Sequence, residues 1–547
     1  MRYSRFTLAV LAAVCIGAFL FRAEGIFWPK FHPDESVIGA WLEQTAHSAY
    51  VRDRVYPNGY FTLARPFMLA GSAIMAMGER FDYVCGRVDR IQTLKPDGIF
   101  FGRWFNVWAG TFACVLVFLL AARVTRSGAA GLVAAGLFGF ARYAVEHSHY
   151  AESDIAAVLV LSAALWLWTV FHDTLRMRHF AAAAFVSGFA AGTKFTLAAL
   201  LLLVLVEALM SGRWKRSAQC ALAGAACFAG GFILANPAVV LDWPWFWSGM
   251  FSEKQRVFAE TILNLGPLGA QPGVRAFHHL WAFCGHAMTL GWPWLALAAA
   301  GLPCAVLAAG MRRHWPALIV FPVLFAGYWF VMAPWVRSQE FLLFLPSFAA
   351  LAALPLAVLW RAGRASGRVL AVMLALAALV LNGSEGMRTA ALFGWKDTRL
   401  QAREWLQVHL SPGSRLAAES YAEAACPPTL APPLGIRKVE RDGLAPLKSY
   451  GADYLLRAAS VSGRGNHHPI TRELLPGAAA NLEQLFSSGT LLCAWAPLAQ
   501  GTLATFVSPV IELHGLRNFE PELLLRAALS CPALIVNADQ NNVGRVT

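Results

Sequence analysis

The chain has 547 residues, 57% of them apolar and 14% charged, and its 45 basic and 32 acidic residues leave a net charge of +13. Soluble proteins carry roughly 25% charged residues, so this composition excludes a disordered chain, a coiled coil and an ordinary cytosolic enzyme. The positive excess could signal a polyanionic partner, and only its placement along the chain can decide that. Ten cysteines are scattered without a CxxC pair, which argues against a zinc site and a dense disulfide framework. Cys426, Cys493 and Cys531, with Cys85 and Cys284, fall in polar segments where one or two bridges could form in an oxidising compartment, but no pairing is readable.

In chain order, apolar runs long enough to cross a bilayer occur at 6–23, 101–123, 129–147, 154–171, 179–193, 196–211, 218–236, 291–310, 316–334, 340–360 and 368–386. The first has the basic start and apolar core of a signal peptide. It lacks a clean small-residue cleavage site before Arg22 and Glu24 and is read as a retained helix. With the N-terminus inside, the inner loop ends carry fourteen basic residues, among them Arg123, Arg126, Arg176, Arg178, Arg361 and Arg364, against Asp173 as their one acid. The rest of the chain is balanced. The +13 therefore reports orientation by the positive-inside rule, and no nucleic-acid partner is implied.

An odd number of spans puts the C-terminal segment outside. The fold class expected is an all-α polytopic membrane protein of about eleven helices with a small C-terminal α/β extracytoplasmic domain. The division expected is 1–390 for the membrane module, with long outer loops at 24–100 and 237–290, and 391–547 for the soluble part. The loops contain short apolar stretches such as 66–77, read as helices lying along the membrane surface. In the soluble part, WKDTRLQAREWLQVHL has helical spacing, while SPGSRLAAES and YGADYLLRAAS read as turn and strand.

Charges at or just outside membrane depth are costly and mark candidate sites. FHPDES presents His32, Asp34 and Glu35 soon after the first helix; adjacent carboxylates can supply a general base, or Asp34 can simply cap the next helix. HSHYAESD, in a short outer loop, groups His147, His149, Glu152 and Asp154, which could hold a metal or cap the following helix. Lys194, in the turn AGTKFT, and Arg337, beside Glu340 in PWVRSQE, are cations that either meet an anion or snorkel to headgroups. Together these charges suit a phosphorylated lipid and an acceptor that gives up a proton. No phosphate-binding loop, nucleotide fingerprint or GxSxG elbow occurs.

HPDE, YPNGYF, HSHYAESD and AGTKFT, followed by NPAVVLDWPWF, RSQEFLLFLPSFAALAAL and KDTRLQAREWL, resemble the GT-C glycosyltransferases over roughly 1–410. The nearest likeness is to the protein O-mannosyltransferase and aminoarabinose-transferase type. The resemblance implies an enzyme of the bacterial inner membrane that takes a sugar from a polyprenyl-phosphate donor at the outer face and transfers it with inversion. The resemblance leaves the acceptor open among a glycan, a lipid, a protein and a small metabolite. It makes Asp34 the base and Glu35 an assisting carboxylate. Glu152 and Asp154 become a second acidic site for acceptor, or for an optional divalent cation shared with Asp34, and no cofactor is required. Lys194 and Arg337 would hold the donor phosphate, with His32, His149 and Glu340 in support. The rival reading is a non-catalytic or lipid- or solute-transporting membrane protein that uses the same charged cavity.

Overall fold

The structure is a computed structural model that describes residues 3–26, 35–45, 48–51, 56–78, 98–209, 214–252, 292–307, 314–332, 338–394, 397–419, 422–430, 433–435, 449–458, 490–495 and 511–516, with single residues between 273 and 285. His32, Asp34 and Arg337 lie outside the described residues. The chain is mostly helical and divides into two compact units, whose described residues run up to Gly394 in one and from Asp397 onward in the other.

The first unit is a helical bundle. It opens with α1 (Arg5–Ala23), whose first turn is capped by Ser4, and continues with α2 (Glu35–Gln44) and α3 (Gly59–Gly78). Then come α4 (Gly98–Thr125), α5 (Gly128–Gly139), α6 (Arg142–Glu146), α7 (Ser153–Thr174) and α8 (Met177–Thr193). After a 3-10 turn, α9 (Ala199–Leu209) and α10 (Trp214–Ala235) follow. The remainder comprises α11 (Ala238–Leu241), α12 (Trp292–Leu307), α13 (Phe321–Met332), α14 (Ser338–Leu342), α15 (Leu345–Arg361) and α16 (Ala365–Gly394). Apolar segments of this kind must pair every backbone group internally in lipid, and helices do so.

Within the bundle, α4 packs against α5 and α7, α8 lies between α7 and α10, and α12 rests on α15. The alanine- and glycine-rich sequence of α8 suits such close helix packing. Trp168 is wholly buried in the main core and donates from Nε1 to Ser187 Oγ at 3.2 Å. Among the described residues, five helices are long and apolar enough to cross a membrane, and five shorter apolar helices accompany them. Phe6, Ile16 and Leu20 on α1 and Val369, Met373 and Val380 on α16 are exposed, as lipid-facing surfaces require.

Three segments differ from the sequence reading. The run 129–147 is broken after Gly139, because Ala141 is extended and the Gly139 carbonyl is taken by the Arg22 side chain at 2.6 Å. The run 340–360 is split into α14 and α15, with Pro346 in the first turn of α15, where its missing N–H costs nothing. The stretch 66–77 belongs to a helix of 20 residues, longer than its apolar portion. Asp173 accepts Arg123 Nε at 2.7 Å, and His172 meets Glu207 at 3.1 Å.

The second unit holds α17 (Thr398–His409) and a five-stranded sheet of β1 (Leu416–Ala418), β2 (Leu434–Gly435), β3 (Tyr454–Ala458), β4 (Thr490–Trp495) and β5 (Ile511–Gly515). The strand order is β2-β1-β3-β5-β4; β1 is parallel to both neighbours, and β5 is antiparallel to β3 and β4. Ala402, Trp405 and Leu406 of α17 share a core with Leu416, Leu456, Ile511 and Leu513. Cys284 and Cys426 are free thiols.

Candidate active site

The segment His147–Asp154 joins α6 to α7 and is buried throughout, although it is rich in polar groups. Burial of this kind demands a partner for each backbone group, and α4 supplies two of them through Asn106. Asn106 Nδ2 donates to the carbonyls of Tyr150 (2.6 Å) and Glu152 (2.7 Å). One helical turn earlier, Arg103 makes a fork to Glu35, with Nε to Oε1 at 2.7 Å and Nη2 to Oε2 at 2.6 Å. Glu35 Oε1 also accepts the Ala151 N–H at 2.8 Å. The first residue of α2 is thereby tied to α4 and to the acidic segment at once.

His149 is part of this frame. Its ring stacks on Phe393 at 3.8 Å and 9°, with Nδ1 2.7 Å from the Val145 carbonyl and Nε2 2.9 Å from the Glu24 carbonyl. Burial, with Arg22 and Arg103 nearby, pushes its pKa down to about 3, so the ring is neutral at ordinary pH and donates from one nitrogen only. His147 behaves oppositely. Burial pulls its pKa down, but Glu152, Glu146 and Asp154 outweigh that and raise it above the usual value.

With the backbone held, three side chains converge. His147, Glu152 and Asp154 each bring a ligand atom within 4.8 Å of the other two, and His147 Nδ1 is 3.7 Å from Glu152 Oε2. Lys194 lies at the end of α8 with an extended backbone. Its Nζ bonds Asp154 Oδ1 and stands 4.0 Å from Glu340 Oε1 on α14. Counting these side chains alone, three carboxylates face one lysine and one histidine, a balance that favours a further cation. An imidazole with two carboxylates suits zinc or manganese.

The motif YPNGYF packs alongside. Asn58 donates its N–H to Asn236 Oδ1 at 2.9 Å and accepts from the Val51 N–H at 3.0 Å, while Asn236 Nδ2 donates to the Gly192 carbonyl at 3.1 Å. A Cβ on Gly59 would sit 2.5 Å from Thr193 Oγ1, so only glycine lets this segment reach the residue beside Lys194. Tyr56 OH lies 3.2 Å from Ser153 Oγ.

The structure thus brings together Glu152, Asp154, Lys194 and Glu340, and places Glu35 against Arg103 and His149 in the supporting frame. His147, rather than His149, is the histidine that meets the carboxylates. Sequence reasoning passed over Arg103 and Asn106, and it quoted Asn58 and Asn236 within YPNGYF and NPAVVLDWPWF without giving them a role. For Arg103 the signal was present, as a charge within an otherwise apolar run.

Residues 26–247 match the family model described as dolichyl-phosphate-mannose-protein mannosyltransferase. No curated protein matches the chain. Among solved structures, it is similar to the Archaeoglobus fulgidus oligosaccharyltransferase in complex with zinc and sulfate, at 13% identity and a TM-score of 0.51 over 90% of this chain and 72% of that one. The apo form of the same protein aligns at 12% identity and a TM-score of 0.51, over 90% and 74%. ArnT from Cupriavidus metallidurans bound to undecaprenyl phosphate aligns at 13% identity and a TM-score of 0.43, over 93% and 98%. The fold is the GT-C fold of membrane glycosyltransferases, and the chain is an integral membrane protein.

Proposed function

We propose that the chain is a glycosyltransferase that takes a sugar from a polyprenyl-phosphate donor and passes it to an acceptor at the outer face of the membrane. The observation that carries this reading is the buried convergence of His147, Glu152, Asp154 and Lys194. All four lie within the segment that matches the mannosyltransferase family model. Asp34 acts as general base; it immediately precedes Glu35, whose carboxylate is fixed to Arg103 and Ala151. With both oxygens committed, Glu35 assists by orienting the segment.

The acceptor oxygen forms a bond to the anomeric carbon as the bond from that carbon to the phosphate oxygen breaks. The acceptor proton passes to Asp34, and polyprenyl phosphate leaves with the bonding pair. Lys194 and Arg337 stabilise the charge developing on the phosphate. The donor competes with Asp154 and Glu340 for Lys194. A divalent cation held by His147, Glu152 and Asp154 would add positive charge to the same site, although the displacement as written requires none. The N-terminus is cytoplasmic in this reading, residues 391–547 form the outer domain, and the membrane is the bacterial inner membrane.

The test is reconstitution with radiolabelled polyprenyl-phosphate sugars and a surface glycan, lipid or protein acceptor. Asp34→Asn should lower turnover by about 10²–10⁴ while insertion is unchanged. Near-normal turnover by that variant would remove Asp34 as the base.

A further inference from the structure

Arg22 occupies the last turn of α1 and is completely buried. Its Nη1 donates to the carbonyls of Ala18 (2.9 Å) and Gly139 (2.6 Å), and its Nε donates to Ser148 Oγ at 3.1 Å. Ser148 Oγ in turn donates to the Ala144 carbonyl at 2.6 Å. Nη2 has no hydrogen-bond partner, and no carboxylate pairs with the guanidinium among the described residues. Desolvating a guanidinium without a counter-charge is expensive. A methionine or leucine would continue α1 without that cost.

What the cation supplies at this position is its directed hydrogen bonds. The surroundings are shaped for it, since a Cβ on Gly110 of α4 would lie 2.6 Å from both Arg22 Nε and Ser148 Oγ. Two further contacts join the same stretches of chain. The Glu24 carbonyl is 2.9 Å from His149 Nε2, and Glu35 Oε1 accepts the Ala151 N–H at 2.8 Å. Positions 22, 24 and 35 thus grip 148, 149 and 151, the stretch between His147 and Glu152, two of the side chains that converge.

We propose that Arg22 is a positioning residue for the acidic cluster. Through Ser148 it fixes the backbone that presents His147 to Glu152 and Asp154. The inference rests on the glycosyltransferase reading for its kinetic consequence, but not for its structural one. The bond to Gly139 caps α5, whereas the bond to Ser148 sets the loop, and the two roles separate by mutation. Ser148→Ala removes the second, together with the bond from Ser148 to the Ala144 carbonyl, and leaves the first, so it also serves if Arg22→Met fails to insert.

The experiment is hydrogen–deuterium exchange by mass spectrometry on the full chain in nanodiscs, run beside steady-state sugar transfer. In Arg22→Met and Ser148→Ala, exchange across 147–152 should rise about tenfold while the amides of α1 and α5 stay protected. kcat should fall about tenfold with donor KM within about twofold of wild type, and Arg22→Lys should recover part of it. Wild-type exchange and kcat in Ser148→Ala, with exchange raised throughout α1 and α5 in Arg22→Met, would make Arg22 only a helix cap and overturn the proposal. If the wild-type protein transfers sugar from no polyprenyl-phosphate donor, the functional reading fails and the exchange data alone decide the role of Arg22. Faster exchange confined to 147–152 then supports that role, and unchanged exchange overturns it.

Discussion

Glu35 and Arg103 are joined by two parallel hydrogen bonds of 2.7 and 2.6 Å, with both side chains 3% exposed, across 68 residues of sequence. Planar, bidentate and buried, this pair belongs to the class whose rupture is far more costly than its net contribution, because the surviving charge is stranded. Arg103→Leu should therefore destabilise the protein by about 3–5 kcal/mol, read as a lowered midpoint of unfolding in detergent. The double variant Arg103→Leu/Glu35→Leu should recover much of that loss. A double variant no more stable than the single one would mean that the Glu35 bond to the Ala151 N–H matters more than the ion pair.

The cluster of His147, Glu152 and Asp154 leads to a prediction independent of turnover. Purified protein stripped with chelator should bind Mn²⁺ stoichiometrically, seen as loss of the free-ion EPR signal, and His147→Ala and Asp154→Asn should each weaken binding by at least about tenfold. Ligand loss at a protein metal site commonly has effects of that size or larger. His149→Ala should leave the affinity almost unchanged, since its ring nitrogens face the carbonyls of Val145 and Glu24. Failure of the wild-type protein to bind Mn²⁺ or Zn²⁺ would leave the three side chains as an acceptor-orienting group.

Cys426 lies in the second unit, where burial, with the Glu423 charge adding and Arg403 opposing, pushes its thiol up to about 12. The thiolate is the reactive form, so at pH 8 native Cys426 should alkylate roughly a thousandfold more slowly than an ordinary thiol of pKa about 8.5. The exposed Cys284 provides the internal comparison. Peptide mapping after timed iodoacetamide labelling measures both, and denaturation should abolish the difference. Equal labelling in the native protein would show that the Cys426 pocket is open.

The sequence displayed the parts of this site better than their pairings. Apolar runs located the helices because a bilayer leaves them no other way to pair their backbones, and Glu152, Asp154, Lys194 and Glu340 stood out as charges at one end of those runs. Which histidine faces the carboxylates could not be read. His147 and His149 stand two residues apart, and His149 is drawn away by the carbonyls of Val145 and Glu24, the latter 125 residues distant in the chain. The commitment of Glu35 to Arg103 was hidden in the same way, by a partner distant in the chain. The break after Gly139 was equally invisible, since it follows from the guanidinium of Arg22 taking that carbonyl, a contact across 117 residues.

Lys194 is held between Asp154 and Glu340 and is also the cation proposed to receive the donor phosphate. Its two roles predict different kinetics. A charge-assisted hydrogen bond to phosphate is worth about 1.5–3 kcal/mol, so Lys194→Met should raise donor KM by about 10–100-fold. Lys194→Arg should keep much of the affinity, because charge is preserved although the compact ammonium geometry is not. Removing the lysine also strands Asp154, so the double variant Lys194→Met/Asp154→Asn is the control for folding: its stability should return toward wild type while donor affinity stays low. Wild-type donor KM in that double variant would assign Lys194 to the Asp154–Glu340 ion pairs alone and leave the phosphate to other cations.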